Sequence, residues 1–415
     1  MFERRVPLIA VAVLVTAAAC SSPPEGSARI RVDQVGFVTD ETKHAYLMSS
    51  SGASSFRVLD DSGAQVLDGA PSSTAARWND GFPDVRVLDL SAVTKPGRYR
   101  VEAAGAVSPA FRVDAPAALF TGPVTDTLAF FATQHDTAHL ADRTADVYAP
   151  PRYDEDGKEL LDPALTRIGG PVDVSGGWFD AGDFLKFTHT TSYATAQLLL
   201  AQRDSAARSD ALAAEARHGL DWLGRMWTGE VLYAQVGIGA GNDGVLTDHD
   251  VWRRPQDDDA LDVSPGDPKY HVKHRPVFPA NSPGTPVSPN LAGRVTAAFA
   301  LSAQVDTDPV RARRSLDVAA DLFSKADTGG GPLVTAFPKN FYPEVGWQDD
   351  LEFAAVELAL AGRALGDPRA GRWQEEAVRW ATAYLDSPAL GTSGLADVSA
   401  MAHADLARIT DGPFR

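Results

Sequence analysis

The hydrophobic pattern of the chain changes its period once, after Asp114. In residues 29–114, short segments such as RIRVDQVGF and GRYRVEA alternate apolar and polar residues, and turn sequences such as NDG and KPG separate them. This pattern is typical of a small β-sandwich, and a length of about 85 residues fits an immunoglobulin-like domain. In residues 115–415 the apolar residues recur at helical spacing, which predicts a second, all-α domain.

About eight helices are predicted in the second domain. The helical faces include Val124 with Leu128, Leu212 with Ala216, Leu351 with Ala355, and Trp373 with Ala377, and further helices are expected near 191–204, 290–304, 311–325 and 395–409. Two long connections, 139–189 and 229–288, are instead rich in Gly, Pro and Asp and hold many of the tryptophan and histidine residues. Connections of this length are commonly functional, so we expect the helices to form a scaffold and the loops to form the site.

The N-terminus has the pattern of an export signal. Arg4 and Arg5 precede an apolar run over residues 6–19, which is short for a membrane span, and TAAAC ending at Cys20 resembles a bacterial lipobox. We therefore predict a lipoprotein-type signal peptide over 1–20, lipidation of Cys20 and a Ser/Pro/Gly-rich linker over 21–28. An ordinary signal peptide is the alternative. Both predict an exported protein, either lipid-anchored on the outer face of a bacterial membrane or secreted.

Charge and cysteine content restrict the partners. A formal net charge of −17 makes nucleic acid an unfavourable partner, since its backbone is also negative. A neutral or cationic ligand is compatible with this charge. The chain has one cysteine, so no disulfide can form within it. We also expect the protein to be a monomer.

The stretch DVSGGWFDAGDFLKF places two carboxylates three residues apart in a glycine-rich loop. Asp180 and Asp183 flank Ala-Gly, and Trp178 provides a broad apolar surface beside them. Two close carboxylates separate each other's pKa values, so one can act as a base while the other hydrogen-bonds. The alternative is a turn with a helix cap, in which both aspartates bind the backbone.

Five segments, in order along residues 29–370, resemble those of glycoside hydrolase family 9, the inverting cellulases. GGWFDAGDFLKF resembles the signature loop GGW-x-DAGD-x-x-K-Y/F of that family. LYAQVG with TDHDVWRRPQ, SPNLAGRVTAAFALSA and VGWQDDLEFAA resemble three further segments, and VDQVGFVTDETKHAYL resembles the immunoglobulin-like module that precedes many members. The resemblance implies hydrolysis of β-1,4-glucans such as cellulose, with no cofactor required, on an (α/α)6 barrel of twelve helices.

The resemblance also implies roles for single residues. Asp183 matches the general base, and Asp180 matches its partner in holding the attacking water. Aromatic and histidine positions of the sugar cleft match Trp178, His249, Trp252, Trp347 and Phe353. Core packing is the alternative for these rings, above all for Phe353, which has helical spacing to apolar neighbours. Structural calcium occurs in the family, but the sequence identifies no ligands for it.

The sequence departs from the family pattern in two respects. Gln256 replaces a glutamate, Asp350 replaces the glutamate of DEL, and Asn290 stands where glutamate is frequent. In addition, the resemblance implies a general-acid glutamate near the C-terminus, and no motif for it occurs before the final ITDGPFR. The glutamates on the predicted helices match no such motif; they are Glu352, Glu357, Glu375 and Glu376.

The sequence predicts eight helices, whereas the fold implied by the family resemblance has twelve. This difference agrees with the missing acid motif. We therefore expect an incomplete barrel, truncated at the C-terminus, whose ring of helices does not close. The sequence leaves three functions open. They are an endo-acting β-1,4-glucanase, a non-catalytic glucan-binding lipoprotein, and a hydrolase of another β-glycan.

Overall fold

The computed structural model describes residues 28–136, 144–205, 208–250, 253–387, 391 and 393–411. The signal peptide predicted for 1–20, with Cys20, and most of the predicted linker lie outside these residues. The chain divides into two compact units, with the division between Thr121 and Gly122. The boundary predicted from the sequence, between residues 114 and 115, lies a few residues earlier, just before the first helix.

The first unit is a β-sandwich of two sheets. Its strands in the described residues are β1 (Arg29–Arg31), β2 (Phe37–Val38), β3 (His44–Ser49), β4 (Phe56–Asp60), β5 (Gln65–Gly69), β6 (Asp84–Asp89), β7 (Gly97–Ala103), β8 (Ala106–Val107) and β9 (Phe111–Asp114). One sheet has the order β1-β3-β6, and the other has the order β2-β9-β7-β4-β5, with β8 paired to β7. The neighbours pair antiparallel except β2 and β9, which are parallel.

The alternation in the sequence determines which side chains enter the sandwich core. Ala45 and Leu47 of β3 are fully buried, and they meet Val58 and Val101 from the opposite sheet in one apolar cluster. Tyr46, between the first two, is exposed. The predicted small β-sandwich is therefore confirmed.

Ten helices are described after the sandwich. They are α1 (Pro116–Thr133), α2 (Thr188–Asp204), α3 (Asp210–Met226), α4 (Pro255–Asp259), α5 (Tyr270–Lys273), α6 (Pro289–Val305), α7 (Pro309–Phe323), α8 (Gln348–Ala364), α9 (Ala370–Leu385) and α10 (Ser399–Ile409). Eight of them have eleven residues or more, and these correspond to the eight helices predicted from the sequence. The two short helices, α4 and α5, lie in the second long connection.

The long helices form an inner and an outer layer. The inner helices α2, α6, α8 and α10 contact one another in chain order, while α3 packs on α2, α7 on α6 and α9 on α8. Burial differs between the layers, because α6 is buried on all sides from Pro289 to Ala303, whereas α7 and α9 bury one face. Helical hairpins arranged in two layers are what an α/α barrel requires.

The two long connections contain a sheet that the sequence pattern does not predict. Its strands are β10 (Thr144–Tyr148), β11 (Arg167–Asp173), β12 (Lys186–Phe187), β13 (Tyr233–Val236) and β14 (Val277–Pro279), in the order β11-β10-β14-β13-β12. Most of these strands have two to five residues, too few for alternation to be recognised, and their partners are distant in sequence. The sheet gives the loops a rigid support.

Arg203 links three of the inner helices. From the end of α2, its guanidinium binds Glu357 of α8 at 3.0 Å and Asp405 of α10 at 2.6 Å. Glu357 is fully buried and also accepts a hydrogen bond from Gln304 of α6 at 2.6 Å. The first and last inner helices are therefore linked by an ion pair at this end.

We predict that Gly219→Ala in α3 destabilises the helical unit, whereas Gly224→Ala does not. A Cβ at Gly219 would lie 2.2 Å from the Trp178 ring and 2.3 Å from Thr195 Oγ1, but at Gly224 its nearest neighbour would be 3.9 Å away. Overpacking costs about 1–3 kcal/mol, whereas alanine at an open helical position stabilises by up to about 1 kcal/mol. Urea unfolding of both variants measures the difference. Equal midpoints would contradict the prediction.

Candidate active site

The loop that carries both aspartates turns through residues with positive φ. Gly176, Gly177 and Gly182 have φ of 78°, 77° and 82°, a region that glycine adopts at little cost. The Asp180 N–H donates to Leu185 O at 2.9 Å, and the Asp183 N–H donates to Asp180 O at 3.0 Å. The two acids therefore lie on one tight turn directly before β12 and α2.

Three side chains, of which Lys186 and Trp222 are buried, hold the carbonyl groups that precede this turn. Lys186, 2% exposed, donates from Nζ to the carbonyls of Val174 and Gly176 and binds Asp136 Oδ2 at 2.6 Å. Trp222 Nε1 donates to Val174 O at 3.3 Å. A further hydrogen bond, 2.9 Å long, joins His218 Nε2 to the carbonyl oxygen of Gly177, the residue that follows Gly176.

Lys186 forms the centre of this arrangement. Burial lowers the pKa of its ammonium, and the adjacent carboxylate of Asp136 opposes that shift. Three acceptors around Nζ match the three protons of an ammonium group. The backbone ahead of the two aspartates is thus fixed by a fully hydrogen-bonded buried charge.

Asp180 is bound by a tyrosine from a distant segment. The hydroxyl of Tyr342, which lies shortly before α8, donates to Asp180 Oδ2. Burial raises the pKa of Asp180, and hydrogen bonds from Tyr342 and Thr190 oppose this effect. Burial and the contact with Asp180 together raise the pKa of Tyr342, so its hydroxyl remains a donor.

Asp183 is bound by the predicted cleft histidine. His249 Nε2 lies 2.6 Å from Asp183 Oδ2, and the N–H of Leu185 donates to Asp183 Oδ1 at 2.8 Å. The hydrogen bond to Asp183 raises the pKa of His249 above its usual value, although partial burial opposes this. The imidazole is 41% exposed, while the Asp183 side chain is 10% exposed, so the pair lies at the edge of open space.

A buried ion-pair cluster supports the loop of His249. Arg275 binds Asp248 at 3.1 Å and Asp258 at 2.8 Å, and its guanidinium lies 5.2 Å from the ring centre of Phe184. Asp248 directly precedes His249 in the chain. The cluster therefore connects the histidine loop to the aspartate turn, on which Phe184 follows Asp183.

A second buried network lies where α2, α6 and α8 begin. Glu344 is fully buried and binds His189 at 2.7 Å and Arg294 at 2.5 Å, and Asn290 Nδ2 donates to its other oxygen at 2.6 Å. Arg294 also binds Asp350 at 2.6 Å. Asn290, which the sequence analysis left without an interpretation, thus supplies an amide donor where a second glutamate would repel Glu344.

The structure contradicts the predicted role of two aromatic residues. Trp178 is 6% exposed, its Nε1 donates to Glu215 Oε1 at 2.7 Å, and its ring packs on Phe131 at 5.0 Å. Phe353 is 1% exposed in the core of α8. Neither ring can stack on a sugar, because both side chains are buried.

Of the two remaining predicted aromatic positions, the structure describes Trp347. Trp347 is half-buried, and its ring lies 5.1 Å from that of Trp380 in α9. Trp252 lies outside the described residues. A ring not predicted for the site, Phe341, lies 5.3 Å from the His249 imidazole. Its signal in the sequence is the aromatic pair before PEVGW.

A cavity of about 760 Å³ opens beside His249. Phe341, Thr247 and Asp250 line it together with the backbone of Gly239 and Gly241, which have no side chains to obstruct it. A volume of this size lies in the range of small-molecule sites. The arrangement places His249, which binds the Asp183 carboxylate, on the wall of a ligand-sized space.

Comparison with known proteins identifies the family. Residues 120–399 match Glycosyl hydrolase family 9, and residues 25–108 match the Cellulase N-terminal ig-like domain. The chain belongs to glycosyl hydrolase family 9.

Three proteins illustrate the similarity. Endoglucanase 15 of Arabidopsis thaliana is 30% identical over 210 residues, which is 47% of this chain and 37% of that protein. A family 9 structure from Bacteroides ovatus has 19% identity and a TM-score of 0.52, covering 91% of this chain and 67% of that one. A metagenome-derived family 9 endoglucanase structure has 22% identity and a TM-score of 0.52, covering 91% and 68%. These structures establish the α/α barrel fold. The chain spans about 37% of the length of the first curated relatives it matches.

The glutamates of this family 9 chain that lie on α8 are not placed to protonate a ligand. Glu352 and Glu357 are fully buried. Burial raises the pKa of Glu352 to about 7, and its carboxylate binds His403 Nδ1 at 2.6 Å. Glu375 and Glu376 lie on the outer helix α9, and Glu376 binds Arg379 at 3.1 Å.

Two further features concern the described part of the chain alone. No three His, Cys, Asp or Glu side chains converge there as a metal site requires. None of its helices has the length and apolar character needed to cross a membrane.

We predict that His249→Gln destabilises the protein below about pH 6.5 and has a smaller effect at higher pH. The pKa of His249 is raised in the folded state, so its ion pair with Asp183 stabilises the fold below the unfolded pKa. That stabilisation is lost as the pH rises through the folded pKa. Urea unfolding of wild type and variant from pH 5 to 9 gives the difference.

The control for this prediction is the same substitution in an Asp183→Asn background. There the pH dependence of the difference should disappear, because the partner charge is gone. A difference that grows with pH would show that the pair does not act as described.

Proposed function

We propose that this family 9 chain is an exported glycoside hydrolase that cleaves β-1,4-glucosidic bonds of cellulose-like glucans with inversion. Asp183 is the general base, and Asp180 helps to hold the attacking water. The observation that carries the proposal is the hydrogen bond of 2.6 Å between the Asp183 carboxylate and His249. The imidazole of His249 lines a cavity of about 760 Å³. The names of similar proteins, among them Endoglucanase 15, support the choice of glucan as substrate.

The hydrogen bonds around the two acids suit their proposed roles. Each oxygen of Asp183 accepts one hydrogen bond, from Leu185 N–H and from His249, and retains a lone pair for a water proton. The hydrogen bond to Asp183 raises the pKa of His249, which favours the cationic imidazole beside the proposed base. Asp180 accepts hydrogen bonds from Tyr342 and Thr190, and its remaining lone pairs can orient the same water.

Acid–base hydrolysis of this type needs no cofactor, and we propose none. An inverting glycosidase does need a second carboxyl group about 6.5–9.5 Å from the base, to protonate the leaving oxygen. Glu352 and Glu357 cannot take that role while they are fully buried. This observation favours a second candidate function for the chain by itself, namely glucan binding without hydrolysis.

We predict that Asp183→Asn lowers the release of reducing ends from soluble cellulose by at least about 100-fold, the contribution expected of a general base. The fold should be retained, since asparagine keeps the shape of the side chain. Asp126→Asn on the exposed side of α1 is the matched control and should leave the activity unchanged. Full activity of Asp183→Asn would refute the assignment of the base.

The leaving group separates the two candidate functions. An aryl β-cellotrioside with a dinitrophenolate leaving group needs no proton from the enzyme, whereas cellopentaose does. A chain that has the base without the acid should hydrolyse the aryl substrate only, and its first product should be the α-anomer. Cleavage of both substrates supports the complete hydrolase. Binding of cellopentaose without cleavage of either one supports the second candidate.

We also propose that the protein is a monomer exported with Cys20 lipidated, at the outer face of a bacterial membrane. The basic residues, the apolar run and TAAAC at the N-terminus support this proposal. Cys20→Ser should shift the protein from the membrane fraction to the soluble fraction and abolish incorporation of labelled palmitate. A variant that stays in the membrane fraction without the label would contradict lipid anchoring.

A further inference from the structure

Two imidazole rings lie face to face beside the segment that leads into the aspartate turn. The ring of His135, which follows α1, and the ring of His218 in α3 have centres 3.8 Å apart and planes at 7° to each other. Neither residue has a role in the proposed function. A stack this close is stable with at most one positive charge on the pair, because two like charges at that distance repel each other.

The two imidazoles bind different partners. His135 Nε2 lies 2.6 Å from Oε1 of Glu215, a buried carboxylate of α3 that also accepts the Trp178 indole N–H at 2.7 Å. His218 Nε2 lies 2.9 Å from Gly177 O. Because a carbonyl oxygen only accepts, Nε2 of His218 carries the proton, and Nδ1 is the atom that gains a second proton in acid. In the described residues one carboxylate binds the pair, and it compensates one imidazolium.

Two further charged groups of the described residues lie near the pair. Asp221, three residues after His218 on α3, acts to raise the pKa of that imidazole. The carboxylate of Asp136, next to His135 in the chain, is bound by the ammonium of Lys186 at 2.6 Å. Its charge is therefore already compensated and does not offset a second imidazolium.

The surroundings of His218 favour its neutral form. Burial lowers the pKa of the imidazole, and the adjacent ring of His135 acts in the same direction. The hydrogen bond to Gly177 O and the carboxylate of Glu215 oppose this shift without reversing it. On a further side the ring of Trp178, with its centre 5.6 Å away, supplies an apolar neighbour.

The stack is attached to a short antiparallel bridge between His135 and Trp178. In this bridge the Phe179 N–H donates to Gln134 O at 2.8 Å, and the Gly177 carbonyl accepts the N–H of the residue after His135 at 3.0 Å. The same carbonyl accepts the imidazole N–H from α3. The first aspartate of the turn follows Phe179 directly, so separation of the two rings would act on the backbone of the turn.

We propose that the stacked pair of His135 and His218 is an acid-sensitive switch that holds the aspartate turn. With at most one positive charge on the pair, the rings remain stacked and bind the Gly177 carbonyl. When a second imidazolium forms in acid, the two cations repel each other, the rings separate and the bridge beside the turn opens. The fixed geometry of the two aspartates is then lost, while the helices remain folded.

The sign of the pH dependence follows from proton linkage. The pKa of His218 in the folded state lies below its unfolded value of 6.5. The stacked arrangement is therefore fully stable above that pH, and its stability decreases as the pH falls from the unfolded towards the folded pKa. The ion pair of His249 with Asp183 has the opposite dependence, which separates the two effects.

Backbone hydrogen exchange tests the switch without any substrate, so the result does not depend on the proposed function. The amides to follow are those of Asp136 and Phe179, which donate across the bridge, at about pH 7.5 and about pH 5, on either side of the usual imidazole pKa. His218→Gln keeps an N–H donor but cannot take up a proton in this range. His44→Gln is the matched control, because His44 is exposed on β3 of the sandwich.

In the wild-type protein we expect the protection factors of both amides to fall by about tenfold on acidification, the effect of a pKa difference of one unit. His218→Gln should lose most of this fall, and His44→Gln should behave like the wild type. Glu215→Gln keeps an acceptor for the Trp178 indole but removes the negative charge. It should enlarge the fall, because neither imidazolium is then compensated.

Equal protection of the wild-type amides at both pH values would overturn the switch, and so would an equal fall in wild type and His218→Gln. Far-UV circular dichroism at about pH 5 shows whether opening is local. Loss of the helical signal together with amide protection would also overturn the proposal, since the opening would then be global.

Discussion

The buried ammonium of Lys186 is the interaction on which the geometry of the site depends. It replaces water with three protein acceptors, two of them carbonyl groups directly ahead of the aspartate turn. A buried charge is costly unless every donor is satisfied, so this arrangement permits one conformation of the backbone. The left-handed glycines at 176 and 177 give the chain the freedom to adopt that conformation, and Lys186 removes the alternatives.

The same principle is repeated around the site. Arg275 fixes the loop of His249, and Arg294 fixes the segment before α8 through Glu344. In each case one buried cation binds two acids. Packing of apolar helices determines where the inner layer lies, but these ion pairs determine how the loops between helices are placed on it. Removing one partner would leave an uncompensated charge in the interior.

The fold could be predicted from the sequence because its signals are local. The change from a two-residue to a helical period marks the sandwich and the eight long helices, whereas a strand as short as β12 has no recognisable pattern. At the site, the spacing of Asp180 and Asp183 and the family resemblance identified the acids. The error at Trp178 arose because its partner, Glu215, lies 37 residues away on α3. Tyr342, 162 residues from Asp180, could not be found for the same reason.

The cross-link made by Arg203 also bears on the order of folding. Its contact with Asp405 spans 202 residues, so it forms only after most of the helical unit has been synthesised. The same guanidinium binds Glu357 across 154 residues, and without that contact α8 cannot bury the carboxylate in its ionised form without a large cost. Contacts of such separation slow folding, because the loop entropy is lost before the contact is gained. The inner layer is therefore built to assemble late and as a whole, because its first helix is tied to its last.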